Sequence, residues 1–141
     1  MKVVINACYG GFSLSPKAIQ KYAEYAGFKV YAYTNTPMMN GGPGIVRVDD
    51  PENQNVWIIY WLKEDIGARV TSKQLNDADW FDDREVDRAD PILIRVVEEL
   101  GEEADGKCAA LKVVEIPDDV EYTIAEYDGW EHVAEAHRTW G

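Results

Sequence analysis

The 141 residues carry 26 acidic and 14 basic side chains, a formal net charge of −12. That balance excludes a general nucleic-acid binder and a protein drawn to anionic membrane surfaces, while the length predicts a single domain (1–141) able to bury a core. Two cysteines far apart in sequence, Cys8 and Cys108, predict free thiols of a reducing compartment, and the longest apolar run, Val56 to Leu62, is too short to cross a bilayer. The expected setting is the cytoplasm.

In chain order, Val3 to Ile5 is a short β-branched run, the pattern of a strand buried on both faces. Gly10-Gly11 then permits a sharp turn or a close approach to a ligand. Ser15-Pro16 opens a helix: the serine oxygen caps free amides, and proline takes the first helical position. Ile19, Tyr22, Ala23 and Ala26 form one stripe, and Gly27 ends the helix. Alternation over Phe28 to Thr34 predicts a half-exposed strand, so the chain is expected to begin with a βαβ unit of two parallel strands.

The loop from Asn35 to Gly44 has no periodicity. It reads either as a connection or as a flap whose Met38 and Met39 offer adaptable apolar contacts. Ile45 to Val48 is a short strand, and Val56 to Leu62 is the candidate central strand. Asn76 to Asp90 is dense in carboxylates but lacks the spacing and the glycine of a calcium loop. It reads as a solvated acidic connection, with Arg84 and Arg88 as partners of nearby acids.

Asp90-Pro91 repeats the cap-plus-proline start, and Ile92, Leu93, Val96, Val97 and Leu100 form the stripe of a second helix that Gly101 stops. Leu111 to Ile116 predicts a strand. Asp128-Gly129 predicts a hairpin between Val120–Glu126 and Trp130–Trp140, although Trp130, Val133, Ala134 and His137 would also suit a helix. The whole predicts an α/β or α+β fold, with a mixed sheet of about five or six strands and two main helices.

Asn6-Ala7-Cys8-Tyr9-Gly10-Gly11-Phe12-Ser13-Leu14-Ser15 resembles the opening of a family of small phage and prophage proteins. Ile116 to Val120, Glu126 to Gly129 and His137-Arg138-Thr139-Trp140 resemble its close. The resemblance brackets nearly the whole chain and implies a phage setting. It assigns no activity and no catalytic residue.

A loop ending at a helix N-terminus can receive an anion. The candidate ligand-binding groups are therefore Asn6, Tyr9, Gly10, Gly11, Ser13 and Ser15, joined by Lys17 and by Arg138, whose planar fork suits phosphate or carboxylate. The named nucleotide fingerprints are absent. The leading expectation is a binding protein for a small nucleotide-like ligand, without turnover and without a cofactor, that could sequester a host immune signal. A second reading is an enzyme in which Cys8 is the nucleophile and His137 its base. No zinc site is expected, because Cys8, Cys108, His132 and His137 lack paired ligand spacing. A third reading is an acidic interaction protein or nucleic-acid mimic, since residues 77–105 hold 12 acidic and three basic side chains. Five tryptophans and eight tyrosines exceed what one small sheet buries, which predicts a homo-oligomer.

Overall fold

The structure, a computed structural model, describes residues 1–36, 44–52 and 58–135. Its elements are β1 (Lys2–Asn6), α1 (Pro16–Ala26), β2 (Tyr31–Thr36), β3 (Gly44–Val48), β4 (Tyr60–Leu62), β5 (Arg69–Val70), α2 (Ser72–Asp77), α3 (Pro91–Leu100), β6 (Leu111–Glu115), β7 (Tyr122–Tyr127) and β8 (Trp130–Glu135). The class is mixed α/β, and the chain divides into two compact units, 1–22 with 83–141 and 23–82.

In the first unit β1 is buried along Val3, Val4 and Ile5, as its apolar run predicts. It pairs antiparallel with β6, from Lys2 opposite Glu115 to Asn6 opposite Leu111. Helix α3 lies over both strands and buries Leu93, Val96 and Val97. Its start is built as predicted: Asp90 Oδ1 accepts the Ile92 N–H at 2.8 Å, and Pro91 follows the cap. Asp90 Oδ2 also accepts the Tyr22 hydroxyl at 2.6 Å, which ties the first part of α1 to the head of α3. β7 and β8 form the predicted hairpin, with Tyr127 opposite Trp130. Asp128 and Gly129 stand at φ 52° and 90°, both positive as a two-residue turn of this hand requires. Residues 130–135 are therefore strand; Val133 faces Ile124.

The second unit is a four-stranded antiparallel sheet in the order β4-β2-β3-β5. Tyr33, Ile45, Leu62, Val70 and Leu75 are its core. The buried Tyr33 keeps its hydroxyl satisfied: it donates to Gly67 O at 2.8 Å and accepts the Ile66 N–H at 3.1 Å. Short helix α2 begins with a capping box in which the Thr71 side chain takes the Gln74 N–H and the Gln74 side chain takes the Thr71 N–H. Trp80 forms a bridge to Leu62 and donates its indole N–H to Leu75 O at 2.7 Å.

Several expectations need correction. The opening is not a parallel βαβ unit, because β1 and β2 lie in different sheets and β1 takes its partner from the far end of the chain. Eight strands form three sheets of two, four and two among the described residues, every ladder antiparallel, where one sheet of five or six strands was expected. Burial on both faces suits a parallel strand, but a two-stranded ladder roofed by a helix and flanked by a hairpin buries β1 as well. The expected central strand is short and lies at the edge as β4, with Ile58 exposed before it; residues 56 and 57 and the methionine loop lie outside the described residues. Strand β2 begins at Tyr31 instead of Phe28, and Ala26 is exposed at the end of α1 while Ala18 is buried.

The acidic connection is also structured. It contains the end of α2, Trp80 and a turn of 3₁₀ helix at Asp83–Glu85. Its carboxylates are used within the fold. Asp83 accepts the Leu14 N–H at 2.8 Å and Asp87 the Ala89 N–H at 2.8 Å.

Candidate functional site

The predicted site residues from the first loop converge, and the groups that hold them are mostly backbone. Asn6, at the end of β1, is fully buried. Its Oδ1 accepts the Ala110 N–H at 2.8 Å, and its Nδ2 donates to Cys8 O and to Gly129 O, each at 2.8 Å. Both amide donors and the carbonyl are thus engaged, so Asn6 joins the first loop, the entry to β6 and the hairpin turn at one point.

Gly10 stands at φ 122° and donates its N–H to Asp128 O at 3.2 Å. A Cβ on Gly10 would come within 2.6 Å of Cys108 Cβ, so the loop passes directly over the Cys108 turn. A Cβ on Gly129 would overlap the amide nitrogens of Gly10 and Gly11. Three turns, at Gly10-Gly11, at Cys108 and at Asp128-Gly129, therefore meet at backbone contact. Ser13 faces Gly106: its carbonyl accepts the Gly106 N–H at 3.0 Å.

This packing fixes two aromatic rings at the surface. Tyr9 (56% exposed) meets Trp130 (43% exposed) edge to face, centroids 5.1 Å apart and planes at 65°. Tyr127, 75% exposed, is the cross-strand neighbour of Trp130 and shares its face of the hairpin. The three rings give this face of the hairpin an apolar surface built on glycine turns.

The anion half of the expected site is arranged differently. Ser15 caps α1 as predicted, its Oγ accepting the Ala18 N–H at 3.1 Å and donating to Glu103 O at 2.6 Å. The Ser15 N–H goes to Ala104 O at 2.9 Å and the Leu14 N–H to Asp83. Lys17 pairs with Glu103 at 3.4 Å. The Leu14, Ser15 and Ala18 amides and the Lys17 ammonium are thus engaged by the chain's own acceptors, two of them carboxylates.

Cys8 is half-buried and Cys108 exposed, both free thiols. His132 is exposed on the outer face of β8, and no hydrogen bond joins Cys8 to a histidine among the described residues. His137 and Arg138 lie outside the described residues. Among the described residues no cluster of three or more His, Cys, Asp or Glu could hold a metal ion, and no helix is long and apolar enough to cross a membrane. A surface groove of about 530 Å³ runs beside α3 past Lys2 and Ile94, but its charges are paired, Lys2 with Glu98 and Arg95 with Glu99, each at 3.0 Å.

Sequence reasoning missed Trp130 and Arg88 as parts of this region. The Asp-Gly turn brings Trp130 back to Tyr9. Arg88, expected to serve nearby acids, reaches Glu131 with two hydrogen bonds of 2.6 and 3.0 Å and stacks on Phe12 at 3.6 Å.

Comparison with protein families, with curated proteins and with solved structures finds no match to the chain.

Proposed function

We propose that this is a binding protein that holds a small, planar, nucleotide-like ligand against Tyr9 and Trp130 without turning it over. The observation that carries the reading is the exposed Tyr9–Trp130 pair, set on backbone that three glycine-containing or positive-φ turns immobilise. Ring stacking on a base contributes about 1–3 kcal/mol per contact and tolerates many bases. Asn6, Gly10 and Gly11 act here as the frame that holds Tyr9, and Ser13, Ser15 and Lys17 hold the start of α1.

Because the Leu14 and Ala18 amides and the Lys17 ammonium already have partners, recognition rests on the base more than on phosphate. A nucleoside should bind nearly as well as its monophosphate. The resemblance of Asn6 to Ser15 to phage proteins supports a phage setting, in which a binder of this kind would sequester a nucleotide signal of the host.

The test is a tryptophan-fluorescence titration with purine and pyrimidine nucleosides and their monophosphates, followed by denaturation and mass analysis of the released ligand. Quenching is expected, with recovery of an intact ligand. Tyr9→Ala and Trp130→Ala should each weaken binding at least about tenfold, whereas Trp80→Phe, where the partly exposed indole meets Tyr60, should not. Absence of quenching by every base, or a chemically altered product, overturns the reading.

A further inference from the structure

The β7–β8 hairpin has one covered edge and one open edge, and the open edge carries a pattern that fits a second copy of itself. The two residues flanking a two-residue turn exchange both backbone hydrogen bonds, and the exchange then alternates along the ladder. With Tyr127 opposite Trp130, the bonded pairs are Tyr127–Trp130, Ala125–His132 and Thr123–Ala134. Tyr122, Ile124 and Glu126 therefore turn their N–H and C=O groups away from β8. Among the described residues none of these groups has a backbone partner. On the other side of the hairpin β8 runs beside β1, where the Glu131 side chain takes the Asn6 N–H at 2.8 Å.

Exposed edges in natural proteins are usually blunted by lysine, proline or a bulge. β7, Tyr122-Thr123-Ile124-Ala125-Glu126-Tyr127, has none of these. We propose that β7 is a self-association edge, with two protomers pairing antiparallel through β7 about a two-fold axis at Ile124.

The register follows from the outward groups and the charges. A two-fold axis at Ile124 sets Ile124 opposite the partner's Ile124 and Tyr122 opposite the partner's Glu126. Every outward-facing residue then meets another, and all six of its strand's free backbone groups are bonded. Thr123 falls opposite the partner's Ala125, and Glu121 opposite the partner's Tyr127, so no two carboxylates oppose each other. An axis at Glu126 would oppose the two Glu126 carboxylates, and an axis at Tyr122 would set Glu126 against the partner's Asp118. Like charges directly opposite destabilise a ladder. In a chain of net charge −12, this nearly uncharged strand is a place where two copies can approach. The homo-oligomer expected from the aromatic content thereby acquires a defined interface. The inference rests on the hairpin register and the charge pattern of the strand and is independent of the ligand reading.

Sedimentation equilibrium of the full chain at micromolar concentration tests it. The wild type should approach twice the 15.9 kDa chain mass. Tyr122→Glu places a carboxylate opposite the partner's Glu126 at two symmetric positions, and should raise the dissociation constant about tenfold. Tyr122→Lys loses the same ring but creates opposite-charge pairs with the partner's Glu126, so it should associate more tightly than Tyr122→Glu, the more so at low salt. Ile124→Pro removes an N–H that the hairpin itself does not use. It should give a monomer with an unchanged circular dichroism spectrum. A monomeric wild type, or equal shifts for Tyr122→Glu and Tyr122→Lys, overturns the proposal. A folded Ile124→Pro that remains dimeric does so as well; if that variant fails to fold, the two Tyr122 variants decide.

Discussion

The Arg88 guanidinium grips the Glu131 carboxylate through two hydrogen bonds, 2.6 and 3.0 Å, in a nearly buried site against β1. The pair stands where another strand could have paired with β1. Arg88 O accepts the Val4 N–H at 2.8 Å, and Glu131 Oε1 accepts the Asn6 N–H at 2.8 Å. The Arg88 side chain is stacked on Phe12, its guanidinium carbon 3.6 Å from the ring centroid. The Arg88 carbonyl and the Glu131 carboxylate thus satisfy amides of a buried strand, and the ion pair links the hairpin to it.

Breaking one member of such a pair leaves the other buried and uncompensated. Glu131→Ala should therefore destabilise the protein by about 3–5 kcal/mol. The double variant Arg88→Met with Glu131→Leu should be less destabilised than the sum of the two single changes by at least about 1 kcal/mol. Urea unfolding of the wild type, Glu131→Ala, Arg88→Met, Glu131→Leu and the double variant measures both quantities. Strict additivity would show that the two side chains act independently.

Gly129 is the second structural requirement of the region. It combines φ 90° with a backbone approach so close that a Cβ would overlap the amides of Gly10 and Gly11. Gly11 also has positive φ, 98°, but a Cβ there meets nothing within 4 Å. Gly11→Ala should thus lose about 1 kcal/mol from backbone conformation, whereas Gly129→Ala adds a clash that displaces the Tyr9 loop and should lose more. Thermal melts order the two variants, and near-ultraviolet circular dichroism reports the Tyr9–Trp130 pair. Its loss is expected in Gly129→Ala and not in Gly11→Ala.

What could be read from the sequence was local. Both long helices have the predicted bounds, Pro16–Ala26 and Pro91–Leu100, because serine or aspartate before proline and glycine at the end act within a turn of the helix they delimit. The hairpin was legible for the same reason, since Asp128-Gly129 determines its own turn. Thr71 and Gln74 carried an equally local signal for α2, overlooked because the helix is so short. Strand partnership was not legible. Nothing in Val3 to Ile5 states that its neighbour is Val113 to Val114 and antiparallel, since an apolar run reports burial and not the direction of the chain beside it. The same holds for the site. Gly10-Gly11 and Tyr9 stood out by type and spacing, but the ring that meets Tyr9 and the arginine that reaches Glu131 arrive through the fold.

Asp65 gives an acid-side test in the second unit. Its carboxylate accepts the Gly67 N–H at 3.0 Å and both contacts of Arg47, at 2.9 and 3.0 Å. The Gly67 hydrogen bond first, and then Arg47, hold its pKa below the usual aspartate value. A depressed folded-state pKa contributes stability that is present above the unfolded value and is lost as pH falls through the folded one. In a carboxyl NMR titration Asp65 should stay ionised below pH 3.8, and Arg47→Met should raise its midpoint without restoring the full unperturbed value. An unchanged midpoint would mean that Arg47 contributes nothing to holding the charge.

Tyr22 gives the alkaline counterpart. Its hydroxyl donates to Asp90 Oδ2 at 2.6 Å, and burial first, then the Asp90 hydrogen bond and charge, push its pKa from 10.0 up to about 12. The folded state therefore holds this proton more tightly than the unfolded chain. The stability tied to it is fully present below pH 10 and is lost as pH rises from 10 towards 12. Tyr22→Phe removes the hydrogen bond but leaves Asp90 capping α3 through Oδ1. Near neutral pH it should lose about 1 kcal/mol. Above pH 10 the gap between the variant and the wild type should close, because the unfolded wild type releases the Tyr22 proton that the folded state still holds. With eight tyrosines in the chain, both proteins will weaken at high pH, so the difference between their urea midpoints is the quantity to follow. A difference that stays constant across the window would place the Tyr22 proton outside the linkage between helices α1 and α3.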